Sequence, residues 1–239
     1  MTDSPARVDV HHRVVLPVLV VLTVITGIVD AVSFLGLGQV FVAVMTGNVV
    51  FAGLALSGAP GIALLEPLVA LTAFLAAAVV GGRLISRLSG HRGRVLFGAI
   101  ALKLVFVVCA VVVAALFLDG GGRTARVVVI VLLASGMALQ NAGVRHLGVR
   151  DFTTTLLTLT LTGVAADSRL AGGQGGKPAR RWTSVAALLA GAVVGGFLVL
   201  RFGVAWPMTL VALLLTLVLA VIGHRLRATV AEDWLEPGR

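Results

Sequence analysis

The chain has no tyrosine and one cysteine, and only 12% of its 239 residues are charged, with 10 acidic side chains against 19 Lys and Arg. Each scarcity excludes something. A single cysteine, Cys109, excludes an internal disulfide framework and a thiolate metal site. The histidines at 11, 12, 91, 146 and 224 fall near the ends of apolar runs and have no metal-ligand spacing. There is no Ser-His-Asp set, no pair of catalytic carboxylates and no phosphate-binding glycine loop at a convincing place. The stretch from Gly172 to Lys177 is glycine-rich but lacks Walker spacing, and reads as a flexible basic linker. An enzyme, a bound cofactor and a resident metal are therefore not expected.

What the chain does have is apolar length. It is 59% hydrophobic with a mean hydropathy of +1.08, a composition that cannot cover a water-facing surface. A hydrocarbon layer of about 30 Å needs roughly 20 apolar residues per helix. Six runs meet that length: 14–35, 62–82, 95–118, 127–144, 183–200 and 204–223. Two shorter runs, 39–56 and 151–166, are interrupted by Thr46, Gly47 and Asn48 and by threonines 153, 154, 155, 158, 160 and 162. Residues 1–13 are polar and no small-x-small cleavage site follows, so the first run is expected to stay as a membrane helix. The formal charge of +9 resides in clusters at the ends of apolar runs, which membrane topology explains without nucleic acid.

Charge also bears on how many runs cross. With eight crossings and an inner amino terminus, Lys and Arg divide 11 inside to 7 outside. With the two short runs re-entering on the side they left, the division becomes 15 to 3, with Arg123, Arg126 and Arg201 outside and Lys103 within a helix. The positive-inside rule favours the second arrangement. The expected fold is an all-α polytopic membrane bundle of six spanning helices and two re-entrant segments, with eight spanning helices as the alternative. Both termini are expected in the cytoplasm.

An internal repeat points the same way. Residues 75–82 match 189–196 at seven of eight positions, an offset of 114. At similar offsets Asp30 and Ala31 align with Asn141 and Ala142, Gly36 with Gly148, Phe41 with Phe152, and the 46–48 stretch with 158–160. The repeats would be 1–119 and 120–239, each with three crossings and hence inverted, an arrangement found in transporters.

Polar groups at membrane depth are costly, roughly 2.5 to 3.5 kcal/mol for Asp or Lys on insertion scales, and face a bundle interior or a wet cavity. Asp30, Ser33, Lys103, Gln140 and Asn141 are such groups. Thr46 is expected to cap a short helix starting near Asn48, with Gly47 supplying a tight turn, so that the helix amino end attracts a small polar or anionic solute. Thr158 and Thr160 would do the same from the opposite face. These ten residues form the candidate pathway of a small-solute transporter or channel. The competing expectation is a non-transporting membrane scaffold, in which threonines and amides only tie helices together and Asp30 pairs with Lys103. Trp182, Trp206 and Trp234 read as interfacial anchors.

The stretch Gly27 to Ser33 with Asp30 at its centre, the run from Phe41 to Asn48, Gln140 to Ala142, and Thr154 to Thr162 followed by Asp167 to Arg169 carry a resemblance. Together they resemble the YoaK-like family of bacterial membrane proteins, a domain of unknown function. The resemblance covers nearly the whole chain and implies a bacterial inner-membrane location, without naming a substrate. Leu159 stands where a Thr-Gly-Thr version of the second turn would have glycine.

Overall fold

The computed structural model describes residues 5–87, 92–118, 122–146, 157–166 and 178–228. Within them the regular elements are eight helices: α1 (Pro5–Gly36), α2 (Met45–Leu56), α3 (Leu65–Arg87), α4 (Arg92–Phe117), α5 (Gly122–His146), α6 (Leu157–Ala166), α7 (Pro178–Phe202) and α8 (Ala205–Ala228). Six of them, α1, α3, α4, α5, α7 and α8, are long and apolar enough to cross a membrane. At 1.5 Å per residue the 12 residues of α2 extend about 18 Å, too little to cross alone. The linker at 172–177, threonines 153 to 155 and Trp234 lie outside the described residues.

Apart from Pro17 inside α1, proline and glycine punctuate these helices where their chemistry allows. Pro5 and Pro178 open α1 and α7, and Pro67 and Pro207 sit at the third position of α3 and α8, where a missing N–H breaks no intrahelical bond. At the end of α1, Leu37 N–H bonds to Ser33 C=O and Gln39 N–H to Phe34 C=O, while Gly38 takes a φ of 99° between them. That is the left-handed stop that releases a chain from a helix. Gly203, with a φ of 79°, turns α7 into α8 in the same way.

The bundle is organised around α1 and α5, whose apolar windows are 67% and 61% buried against 11% for α3 and 22% for α7. α7 packs along α1, α3 packs along α5, and α4 bridges α5 and α8, with α8 returning to α1. Between helices in lipid the hydrophobic effect supplies little attraction, so close approach and van der Waals contact must. Glycine makes that approach possible. Gly27 of α1 lies directly against the backbone of Leu188 and Ala192, and Gly191 of α7 against the backbone of Val24. Gly195 meets Ile28 and Ala31, and on the other side of the bundle Gly81 of α3 meets Leu139 and Ala142 of α5. The outward faces of α3 and α7 expose Leu75, Val79, Leu189 and Val193, the surface that hydrocarbon would solvate.

One ion pair fixes one end of this assembly. Glu66, in the first turn of α3, accepts from Arg123 Nε at 3.1 Å and from the same guanidinium at 3.3 Å, a two-pronged contact onto the start of α5. Arg126 and Glu66 both lie against Gly38, so the end of α1 and the starts of α3 and α5 share one level.

The glycine contacts make a differential claim. Gly191→Val places a side chain where the backbone of Val24 stands, and should separate α1 from α7 at a cost of about 3 kcal/mol or more. Gly82→Ala meets nothing within 4 Å and should leave stability unchanged. Thermal midpoints in detergent, followed by size-exclusion chromatography, compare the two; equal behaviour would refute the interface.

Candidate functional site

Between α1 and α2 the chain runs through residues 37–44 without forming a helix, yet Leu37, Val40, Val42 and Ala43 are essentially inaccessible. Buried backbone amides outside a helix must find other acceptors, because each unsatisfied group in an apolar interior costs several kcal/mol. Two side chains supply them. Asp30 Oδ1 accepts from Val42 N–H at 3.1 Å and from Ala43 N–H at 2.9 Å, with the Val44 N–H directed at the same carboxylate. Asn48 Oδ1 accepts from Phe41 N–H at 2.9 Å, and its Nδ2 donates back to Phe41 C=O. The amides of residues 41 to 44 are thus held by one residue upstream and one downstream.

This geometry revises the reading of the Thr46, Gly47, Asn48 stretch. α2 starts at Met45, its amino-terminal cap position is Val44, and no side chain caps it. Thr46 is exposed in the first turn and caps nothing. Asp30 instead takes the amides of Val42 and Ala43 just before α2, which sets its carboxylate close to the positive end of the α2 dipole. Gly47 is not a left-handed turn residue: it is helical, its N–H bonds to Val44 C=O, and the positive-φ positions here are Gly38 and Gln39. What requires glycine at 47 is Phe41, whose Cδ2 would lie 2.6 Å from an added Cβ. Phe41 also stacks on Phe34 at 5.4 Å and on Phe51 at 5.8 Å, so the three rings clamp α1, the buried stretch and α2 together.

A second polar chain crosses the bundle. Lys103 of α4, 1% exposed, donates to Gln140 Oε1 of α5 and approaches Met137 Sδ at 3.2 Å. Gln140 Nε2 donates to Thr26 Oγ1 of α1 at 3.3 Å, and that hydroxyl donates to Leu22 C=O at 2.9 Å. Three helices are tied by one line of donors and acceptors. Asp30 and Lys103 make no direct contact, although their opposite charges act on each other through space: the lysine donates to an amide oxygen and the aspartate accepts from backbone N–H groups. Ser33 bonds its own helix at Asp30 C=O. Asn141 is half-buried on α5. Thr158 and Thr160 belong to α6, but their side chains lie outside the described residues.

Thr26, Met137 and the residue 41 to 44 backbone were not among the expected site groups. Thr26 was findable, since Thr23, Thr26, Asp30 and Ser33 recur at three- and four-residue spacing and so line one side of a helix. The backbone acceptor need at 41 to 44 leaves no residue-type signal.

These features define an all-helical, multi-pass membrane protein with polar groups locked in its interior. The chain belongs to the DUF1275 family, described as a protein of unknown function, whose model matches residues 18–222. It is 28% identical over 152 residues to the UPF0700 transmembrane protein YoaK of Bacillus subtilis (strain 168), a match covering 62% of this chain and 65% of that relative. No solved structure matches the chain.

The role given to Gly47 can be tested against Phe41. Gly47→Ala should destabilise by about 1 to 3 kcal/mol through overpacking on the ring. Phe41→Leu in the same chain should recover part of that loss, giving a coupling above about 0.5 kcal/mol in a double-mutant cycle. Additive losses would show that the ring is not the reason for glycine.

Proposed function

We propose that the chain is a non-enzymatic small-solute transporter or channel of a bacterial inner membrane, with both termini cytoplasmic and its path beside the buried stretch 37–44. In this reading residues 39–56 and the α6 region re-enter from opposite faces, and residues 1–119 and 120–239 form two inverted repeats. The observation that carries it is non-helical backbone held by Asp30 at bundle depth, since such backbone occurs in membranes only within protein or beside a wet cavity.

Contacts support this depth. Asp30 lies six residues before the end of α1, about 9 Å down the helix, and the chain leaving α1 comes back to it at Val42 and Ala43. The 12 residues of α2 then suffice to return towards the start of α3, on which α2 packs. The repeat reading draws support from reciprocal packing. Exchanging α1 with α5, α2 with α6, α3 with α7 and α4 with α8 turns the α1–α7 contact into α5–α3, α4–α5 into α8–α1, and α2–α3 into α6–α7, all of which occur. Gly195 on Ile28 and Ala31 likewise matches Gly81 on Leu139 and Ala142. With the Asp30 carboxylate close to the amino end of α2, a small polar solute suits this path better than an anion.

The scaffold reading rests on a different observation: Asp30, Asn48, Lys103 and Gln140 all have protein partners and could serve only to hold helices. Cysteine accessibility separates the two. Thr46→Cys, Thr158→Cys and Thr160→Cys, each in a Cys109→Ala background, are treated with a small membrane-impermeant thiol reagent from each side of sealed vesicles. A pathway between opposed segments should give labelling of position 46 from the outer face and of 158 or 160 from the inner face. Protection of all three in folded protein would favour the scaffold, and labelling from one face only would refute the inversion.

A further inference from the structure

Seventeen of the 19 basic residues are arginine, and the two lysines are Lys103 and Lys177. An arginine stays charged in a protein, whereas a lysine can give up its proton. The cation buried in this bundle is of the kind that can.

Aromatic side chains set its depth. Trp182, near the start of α7, and Phe202, its last residue, are both more than half exposed. The helix between them is about 30 Å long, the thickness of a hydrocarbon layer. Phe202 lies against Trp206 at the start of α8, so both helices share that aromatic level. Between the two levels, Val24 of α1 meets Gly191 and Ile28 meets Gly195. Thr26 is therefore level with the middle of α7, and Gln140 joins it to the Lys103 amine. The amine stands near the midplane, with Asp30 one helical turn beyond Thr26, about 6 Å towards Phe202.

The surroundings of Lys103 suit a proton better than a solute. Its stem packs so closely on Gly136 that an added Cβ there would lie 3.2 Å from Cγ, and the side chain is 1% exposed. Among the described residues its nitrogen has two acceptors, Gln140 Oε1 and Met137 Sδ. An ammonium carries three N–H groups and an amine two, so one proton is not held by the bundle. Few ionisable groups face it. Residues 127–144 of α5 and 205–223 of α8, the helices packed on α4, contain none, and α1 offers Asp30 within its apolar run. Asp30 acts on Lys103 through space and is the more accessible of the two, 8% exposed against 1%. Opposite ionisable groups at membrane depth, held apart on neighbouring helices, are the parts of a proton relay.

We infer that Lys103 takes up and releases a proton at the bundle midplane, and that this proton is the ion coupled to solute movement along the path beside Asp30. The coupling rests on the transport reading above, and the proton site does not. On release, one N–H bond of the ammonium breaks, its electron pair stays on Nζ as the lone pair of the amine, and the proton passes to water that reaches Asp30. Uptake is the reverse. The amine keeps a donor each for Gln140 and Met137, so α4 and α5 stay joined in both states.

With two lysines in the chain, Lys103 can be watched without altering the core. The full chain carrying Lys177→Arg, with lysine isotope-labelled at Cε, is titrated in detergent and the Lys103 signal is followed by NMR. The signal should move between about pH 5 and about pH 9, and in Asp30→Asn its midpoint should fall by about half a unit or more, because the charge that favours the ammonium is gone. The chain without these changes is then reconstituted in vesicles adsorbed on an electrode and given a pH step. A transient charge displacement is expected, lost in Lys103→Met and also in Lys103→Arg, which keeps the charge and the donors but not the release. A Lys103 signal fixed across that range would overturn the proton site, and an unmoved midpoint in Asp30→Asn would overturn the part given to Asp30. Titration without any displacement current, or a full current in Lys103→Arg, would overturn the coupling. Titration with the expected currents, in protein whose positions 46, 158 and 160 stay protected from thiol reagent, would uphold the proton site and count against the transport reading instead.

Discussion

A buried backbone that leaves the helix has no water to bond, and the stretch 37–44 leaves it while buried. The carboxylate of Asp30 resolves that conflict by taking two successive amides, at Val42 and Ala43, onto a single oxygen. Everything around the candidate site is arranged to keep that oxygen where it is. Ser33 returns its hydroxyl to the Asp30 carbonyl, Asn48 takes the next amide at Phe41, and Phe41 lies on Gly47 so that the first turn of α2 can come this close.

The position of Asp30 in turn depends on α1, and α1 is held from both sides. Its glycine face is pressed to α7 at backbone contact, and its threonine face receives Gln140, which carries the load of a fully buried Lys103. Deleting one member of such a line leaves a buried donor or acceptor unmet, which costs about 1 to 3 kcal/mol and more for a charge. The polar interior thus joins α1, α4 and α5 in a way that apolar packing between lipid-solvated helices cannot specify. A solute path beside Asp30 would run along buried backbone that is not sealed inside a helix.

The six long helices were legible because length and hydropathy decide membrane crossing almost alone, and Asp30, Asn48, Lys103 and Gln140 stood out as polar residues in apolar runs. Their partners were not legible. A Thr-Gly-Asn stretch looks like a helix start by local rules, but the charge at that start comes from Asp30, 12 residues before Val42. Gly47 reads as a turn until the ring of Phe41 is placed on it. Opposite charges at 30 and 103 invite an ion pair, and only the approach of α5 reveals an amide oxygen better placed for the lysine. Sequence marks which residues are costly to bury, whereas tertiary contacts decide what compensates them.

Backbone hydrogen exchange across residues 41 to 43 tests the Asp30 tether directly, with the amides of α5 as an internal reference for global folding. Asparagine at position 30 keeps the side-chain acceptor and its shape, and leucine removes it. The amides of Val42 and Ala43 are expected to be protected in the wild type, largely protected in Asp30→Asn, and to exchange at least tenfold faster in Asp30→Leu while α5 stays protected, since about 1.4 kcal/mol of lost protection is a factor of ten. Unchanged protection of both amides in Asp30→Leu would contradict the account.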